Sequence, residues 1–268
     1  MSSETDRRKV IKQGNNTLTI TLPKKWTEKL NINAGDEINI VERDGSLVLN
    51  GSYAETEKVA EFDITHLTVP MLWRFFQSAY RSGCNEIKIG FSPAKKDYED
   101  AYHYYTTLFD YAKLGEKILP KPAVVIVQEV VNRFIGLELV EAGENYCIIR
   151  DMGEVSGKEF DNSLRRIFLI IMQIMERLRE AIEKNQIKNP QLCKEIHTID
   201  LTVDKFVDYC ARMMNKSKNF PNESKKPLIF STLFLLELIG DECKYVGKHI
   251  ALSKVPVRDV LGFLKDIK

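Results

Sequence analysis

The chain has 268 residues, 44% of them hydrophobic and 29% charged, with a net charge of +1. Those proportions fit one large globular domain or two to three small ones, and exclude a disordered or fibrous chain. A near-neutral balance also excludes a global pull toward nucleic acid or membrane, so such affinity must come from local clusters.

Taken in chain order, residues 1–51 carry short alternating segments at Val10–Lys12, Thr17–Leu22, Asp36–Glu42 and Leu47–Leu49. Gly14-Asn-Asn and Asp44-Gly45 are hairpin-type turn signals between them. Pro23, acceptable at a helix start, opens a helical segment that runs to Leu30. Some fifty residues make a marginal core, so this β unit is expected to need a partner chain.

Residues 53–155 mix both periodicities and predict an α/β domain. Val59–Ile64 and Glu86–Phe91 suit strands, with a helical pattern over Pro70–Arg81 between them. Tyr98–Leu114 is an aromatic-rich helix candidate. Val124–Phe134 fits a strand by its apolar run, yet its length and lack of breakers favour a helix. Leu137–Glu141 and Tyr146–Arg150 flank Ala142-Gly-Glu-Asn145, a hairpin signal. Neither a Gly-rich phosphate loop nor a serine elbow occurs in this zone.

Residues 156–268 are helical throughout. Asp161 can cap a helix whose apolar positions Leu164, Ile167, Ile171, Ile174, Leu178 and Ile182 recur at three and four. After Asn189-Pro190, Leu192, Ile196, Ile199, Val203, Phe206, Cys210 and Met213 alternate at the same spacings, which is a bundle seam. A third helix ends near Ala251, and Pro256 starts a short terminal one. The expected form is a three-helix bundle with an appendage.

Two pairs of carboxylates lie in this apolar third: Asp200 with Asp204, and Glu237 with Asp241. Four residues apart on a helix, each pair stacks on one face. On the second helix His197, Asp200, Asp204 and Asp208 fall within about 80°, beside the apolar seam rather than opposite it. Buried carboxylates need a counter-charge, and a metal cluster with oxygen ligands is one way to supply it. Lys244 and Lys248 could neutralise them instead, and His197 and His249 are expected to be ordinary polar residues. Gly240 costs about 1 kcal/mol inside a helix and is easiest to place where another backbone or a ligand comes close.

Five cysteines (Cys84, Cys147, Cys193, Cys210, Cys243) never form a Cys-x-x-Cys pair, which predicts reduced thiols in a cytoplasmic protein. The first residues lack an apolar signal core, and Ile167–Met172 and Leu228–Ile239 are too short or interrupted to span a bilayer. A soluble protein without membrane insertion is expected.

The helix Leu235-Leu-Glu-Leu-Ile-Gly-Asp-Glu-Cys-Lys-Tyr-Val-Gly-Lys-His249 resembles the last helix of a PhoU repeat. That resemblance covers about Phe160–Ala251. It implies a three-helix bundle in which Asp200, Asp204, Glu237 and Asp241 hold a multinuclear metal cluster, often iron or zinc. PhoU proteins normally carry two repeats and this chain carries one, which implies that a second bundle comes from another subunit.

Near the start, Arg7-Arg-Lys-Val-Ile-Lys-Gln-Gly14, Thr19-Ile-Thr-Leu-Pro-Lys-Lys-Trp26 and Ile32-Asn-Ala-Gly-Asp-Glu-Ile38 resemble the SpoVT/AbrB family. The resemblance implies a dimeric swapped-hairpin β barrel that commonly binds DNA. Residues 1–30 hold seven Lys or Arg and three acids, a local excess that a dimer doubles. Arg7, Arg8, Lys9, Lys12, Lys24 and Lys25 are the candidate DNA contacts.

Together the two resemblances point to archaeal phosphate-uptake regulators: a multidomain α+β homodimer with a barrel, an α/β middle domain and a PhoU-like bundle. The function they imply is a DNA-binding transcriptional regulator of phosphate homeostasis. No nucleophile is paired with a base, so no enzyme is expected. Two alternatives stay open. One is an adaptor that regulates a phosphate transporter through protein contacts. The other is a carboxylate-bridged di-metal oxidase, for which the usual Glu-x-x-His spacing is missing.

Overall fold

A computed structural model describes residues 6–43, 45–50, 57–93, 121–153, 157–216, 220 and 223–252. It divides into two units, Met1–Thr56 and Glu57–Lys268. The boundary expected near 155 falls inside the second unit, where α/β and helical parts belong together. The helix candidate at Tyr98–Leu114 and the terminal helix from Pro256 lie outside the described residues.

In the first unit, β1 (Ile11–Gln13) pairs antiparallel with β2 (Thr17–Thr19), and β3 (Asn39–Arg43) with β4 (Ser46–Asn50). The turn glycines Gly14 and Gly45 have φ of 69° and 77°, which a side chain would oppose. Between the hairpins lies α1 (Lys24–Lys29), entered through the extended Pro23, whose φ is −62°. Among the described residues of this unit none is buried. Val10, Ile11, Leu18, Ile20, Ile40 and Leu47 are all at least half exposed. The expected barrel is corrected to this extent: the described strands of one chain form two separate two-stranded sheets. Closing them needs strands from elsewhere.

The second unit begins with a four-stranded sheet in the order β5-β6-β8-β7. β5 (Val59–Asp63) runs parallel to β6 (Glu86–Gly90), with α2 (Val69–Arg81) as the crossover. β7 (Leu137–Ala142) and β8 (Tyr146–Asp151) form the predicted hairpin, with a register shift between Leu139 and Glu141. The ambiguous apolar run becomes α3 (Ala123–Val131), burying Ala123, Ile126, Val127, Val130 and Val131. That spacing is helical, and it overrides the β preference of five valines. Leu72, Phe76 and Tyr80 of α2 join Ile87, Ile89 and Ile149 of the sheet in one core. Each fully buried side chain there contributes about 1.5–3 kcal/mol.

Three long helices follow: α4 (Gly157–Glu183), α5 (Pro190–Lys216) and α6 (Lys226–Leu252). Asp161 lies inside α4, one turn past its start, so it is not the cap that its residue type suggests. Between α4 and α5, Asn185 adopts φ 55° and Asn189 Oδ1 accepts the Gln191 N–H at 3.0 Å, closing one helix and opening the next. Ile167, Ile174, Leu178, Ile196, Val203, Cys210 and Leu233 form the bundle core. Tyr209 packs against both cores, so α5 is the shared wall between sheet and bundle. Among the described residues, no helix is long and apolar enough to cross a membrane.

Candidate functional site

The acid face of α5 is buried in the second unit. Asp200 and Asp208 are both 0% exposed, and Asp204 keeps a minor part of its side chain accessible. From α6, Glu237 and Asp241 meet them: the charges of Asp200 and Glu237 help to raise the Asp204 pKa well above its ordinary value, after burial as the main cause. All four candidate ligands (Asp200, Asp204, Glu237, Asp241) therefore converge on one region, together with Asp208.

Basic side chains already occupy that region. Lys244 Nζ donates to Asp200 Oδ2 at 2.5 Å and also to Asp241. Arg81, the last residue of α2, donates from Nε to Asp208 Oδ1 at 2.5 Å and from Nη2 to Glu237 Oε2 at 3.5 Å. Gln77, one turn earlier, donates to Asp208 at 3.1 Å and accepts from Arg74 at 3.1 Å. Arg133, just past α3, lies 3.8 Å from Asp204 and stacks over the Trp73 ring at 4.0 Å. Five carboxylates thus face three bridging cations. Burial raises the carboxyls of Asp200, Asp208 and Glu237, against the lowering pull of these partners.

Two buried polar atoms beside the cluster, Asp200 Oδ1 and His197 Nε2, lack a hydrogen-bond partner. Burial, with the Lys244 and Arg133 charges, holds the His197 pKa down to about 4, so its ring is neutral near pH 7. Gly240 sits where α6 crosses α5: a Cβ there would meet Asp200 Oδ1 at 3.1 Å and Val203 at 3.5 Å. Close helix approach explains that glycine. Oxygen donors and an unpartnered carboxylate oxygen suit a hard cation. The position between Asp200 and Asp241, however, is taken by the Lys244 ammonium. Among the described residues, no group of three or more His, Cys, Asp or Glu side chains is disposed to hold a metal ion. Lys248, the other lysine considered, is buried without a printed carboxylate partner, and burial pulls its pKa down. His249 is exposed.

A second buried charge network joins the sheet to α5. Arg212, 1% exposed, donates to Tyr80 O at 2.7 Å, Cys84 O at 2.8 Å and Asp151 Oδ2 at 2.7 Å, and Lys216 also reaches Asp151. Burial alone would raise the Asp151 pKa, but hydrogen bonds from Lys216 and Arg212 hold it below the usual carboxylate range.

In the first unit, Arg7, Arg8, Lys9 and Lys12 lie on or just before β1, and Lys24 and Lys25 form the first turn of α1. All six are exposed. Arg8 pairs with Asp6 at 2.5 Å and Lys24 with Glu28 at 3.6 Å, surface contacts of little energetic weight.

The periodicity of the sequence located the acids but not their partners. Arg81, Gln77 and Arg133 come from elements more than seventy residues away, where each looks like an ordinary surface residue. The nearest signal was Asp208, which shares the acid arc with no counter-charge on its own helix face.

Among known proteins, the family described as "Antidote-toxin recognition MazE, bacterial antitoxin" matches residues 11–58. That span is the first hairpin unit and a short extension. No curated protein and no solved structure matches the chain.

Proposed function

We propose, proceeding from the MazE-type match over residues 11–58, that this chain is a non-enzymatic, homodimeric, DNA-binding transcriptional regulator. Domains of this MazE/AbrB-like kind typically bind DNA and form dimers. The observation that carries the proposal is a unit with exposed apolar strands, no buried residue and six exposed basic side chains. A second copy supplies the missing half of the core, and the dimer doubles the positive patch. Phosphate contacts made this way give affinity with little sequence information.

The finer proposal is that the regulated process is phosphate uptake and that the buried acid cluster of the second unit is its sensor. Its support is the sequence resemblance of α6 and the convergence of Asp200, Asp204, Glu237 and Asp241. In this proposal the acids take up metal ions, iron or zinc, in competition with Lys244. Elemental analysis of purified protein is the check: metal is expected in the wild type and absent from D204N/D241N. Equal metal in both would remove the sensor from the proposal.

DNA binding has its own test. R8A/K9A should weaken binding to any duplex and reduce the slope of log K against log salt by about 1 for each lost phosphate contact. Unchanged affinity and slope would discard the basic patch. Mapping chromatin occupancy in phosphate-starved and phosphate-replete cells would then test the phosphate assignment.

A further inference from the structure

Helix α6 is apolar on two opposite sides. Leu233, Leu236 and Gly240 point into the bundle, where a Cβ at Gly240 would touch Val203. At 100° per residue, Leu228, Phe234, Leu235, Leu238 and Ile239 fall on the far side. They are 67%, 57%, 54%, 44% and 47% exposed, and Phe230 beside them is 48% exposed. A helix hydrophobic all round is normally covered all round.

The polar groups on this stretch offer nothing to a polar partner. Ser231 Oγ donates to Pro227 O at 2.9 Å and Thr232 Oγ1 to Leu228 O at 3.0 Å, so both hydroxyls are satisfied by their own helix. No charged residue lies on the outer face between Leu228 and Ile239. Lys226 stands before it and Glu242 after it.

We propose that this outer face of α6 packs against the same face of a second copy of the chain, antiparallel about a two-fold axis near Phe234. Three features favour a second copy as the occupant. An antiparallel pair brings each copy's Glu242 to the level of the other copy's Lys226, so the flanking charges complement one another. At about half exposure of ~200 Å² per side chain, the six residues offer roughly 600 Å² per copy. The pair then buries about 1,200 Å², enough for a specific interface and more than a lone monomer usually leaves open. The third feature rests on the dimeric function proposed above. Two chains joined through their first units hold their second units at high effective concentration.

The test uses the full chain with Leu235→Cys, against Arg177→Cys, an exposed position on α4, as control. Four native cysteines are buried and Cys243 is partly so, which leaves the introduced thiol as the reactive one. Under mild copper–phenanthroline oxidation, L235C is expected to form a disulfide-linked dimer at least tenfold faster than R177C. Adding F234E and L238E should abolish that cross-link while light scattering still gives a dimeric mass. Equal cross-linking of L235C and R177C in a protein of dimeric mass would overturn this contact and leave the first-unit dimer standing. A monomeric mass for the wild type would overturn both. Co-sedimentation of the wild type with anionic vesicles, lost in F234E/L238E, would overturn the contact in favour of a lipid surface.

Discussion

The two units of this protein solve the burial problem in opposite ways. In the first, about forty described residues form two hairpins and one short helix, and none is buried. In the second, a sheet and three long helices build two cores, and even Asp200, Asp208 and Arg212 are withdrawn from water. The difference is chiefly one of surface to volume. A chain of fifty residues cannot cover its own apolar strands, whereas one of two hundred has interior to spare for charges. Interior charge is tolerated only in company: every buried acid of α5 has a cation from another element or, for Asp204, a raised pKa that favours the neutral form.

The largest expected effect breaks the second unit through its charge network. Asp151→Ala leaves the Arg212 guanidinium buried with only two carbonyl acceptors, and leaves Lys216 without its carboxylate. A loss of about 3–5 kcal/mol is expected, read as a fall in the main thermal transition. A fall of under 1 kcal/mol would mean that water reaches Arg212.

A smaller effect separates the units by mass action. If the first unit is completed by a partner chain, its melting temperature should rise with protein concentration, while the transition of the second unit should depend on it less. Amide exchange at 1 and 100 μM would follow both in the same sample. Protection of residues 11–50 that ignores concentration would show that the hairpins stand alone.

The smallest effects concern pH, and they have opposite signs. The Asp204 carboxyl is raised by burial and by neighbouring acids, so its contribution is present at low pH and is lost as pH rises through the folded pKa. Asp204→Asn should therefore raise the melting temperature at pH 7, by roughly 2–4 °C for each kcal/mol regained. His197 is lowered to about 4 from 6.5. Its neutral ring contributes stability above pH 6.5 that is lost as pH falls toward 4, at most about 3 kcal/mol. His197→Gln should flatten that acid-side loss. Melting curves for both variants between pH 4 and 8 would separate the two; parallel curves would show that neither group titrates differently on folding.

Much of the secondary structure was legible in the residues. The 3–4 spacing on α4 and α5, the Pro23 and Asn189-Pro190 helix starts, and the glycine turns at Gly14 and Gly45 each reflect chemistry within a few residues. Val124–Phe134 was harder, because β-branched residues and helical spacing conflict there. Asp161 shows the limit of capping signals: residue type permits a cap, but packing of Phe160 and Ser163 into the bundle extends the helix past it. For the candidate site, the sequence by itself determined that acids share one face of α5 and one stripe of α6, because helical geometry is local. Only the tertiary structure decided what neutralises them. Arg81 and Arg133 arrive on α2 and just past α3, and side-chain partners from distant elements are set by how layers pack, which no local spacing encodes. The same division holds for α6. Its two apolar sides are written in the sequence, but which one faces the bundle follows from Gly240, whose bare backbone lets α5 come close.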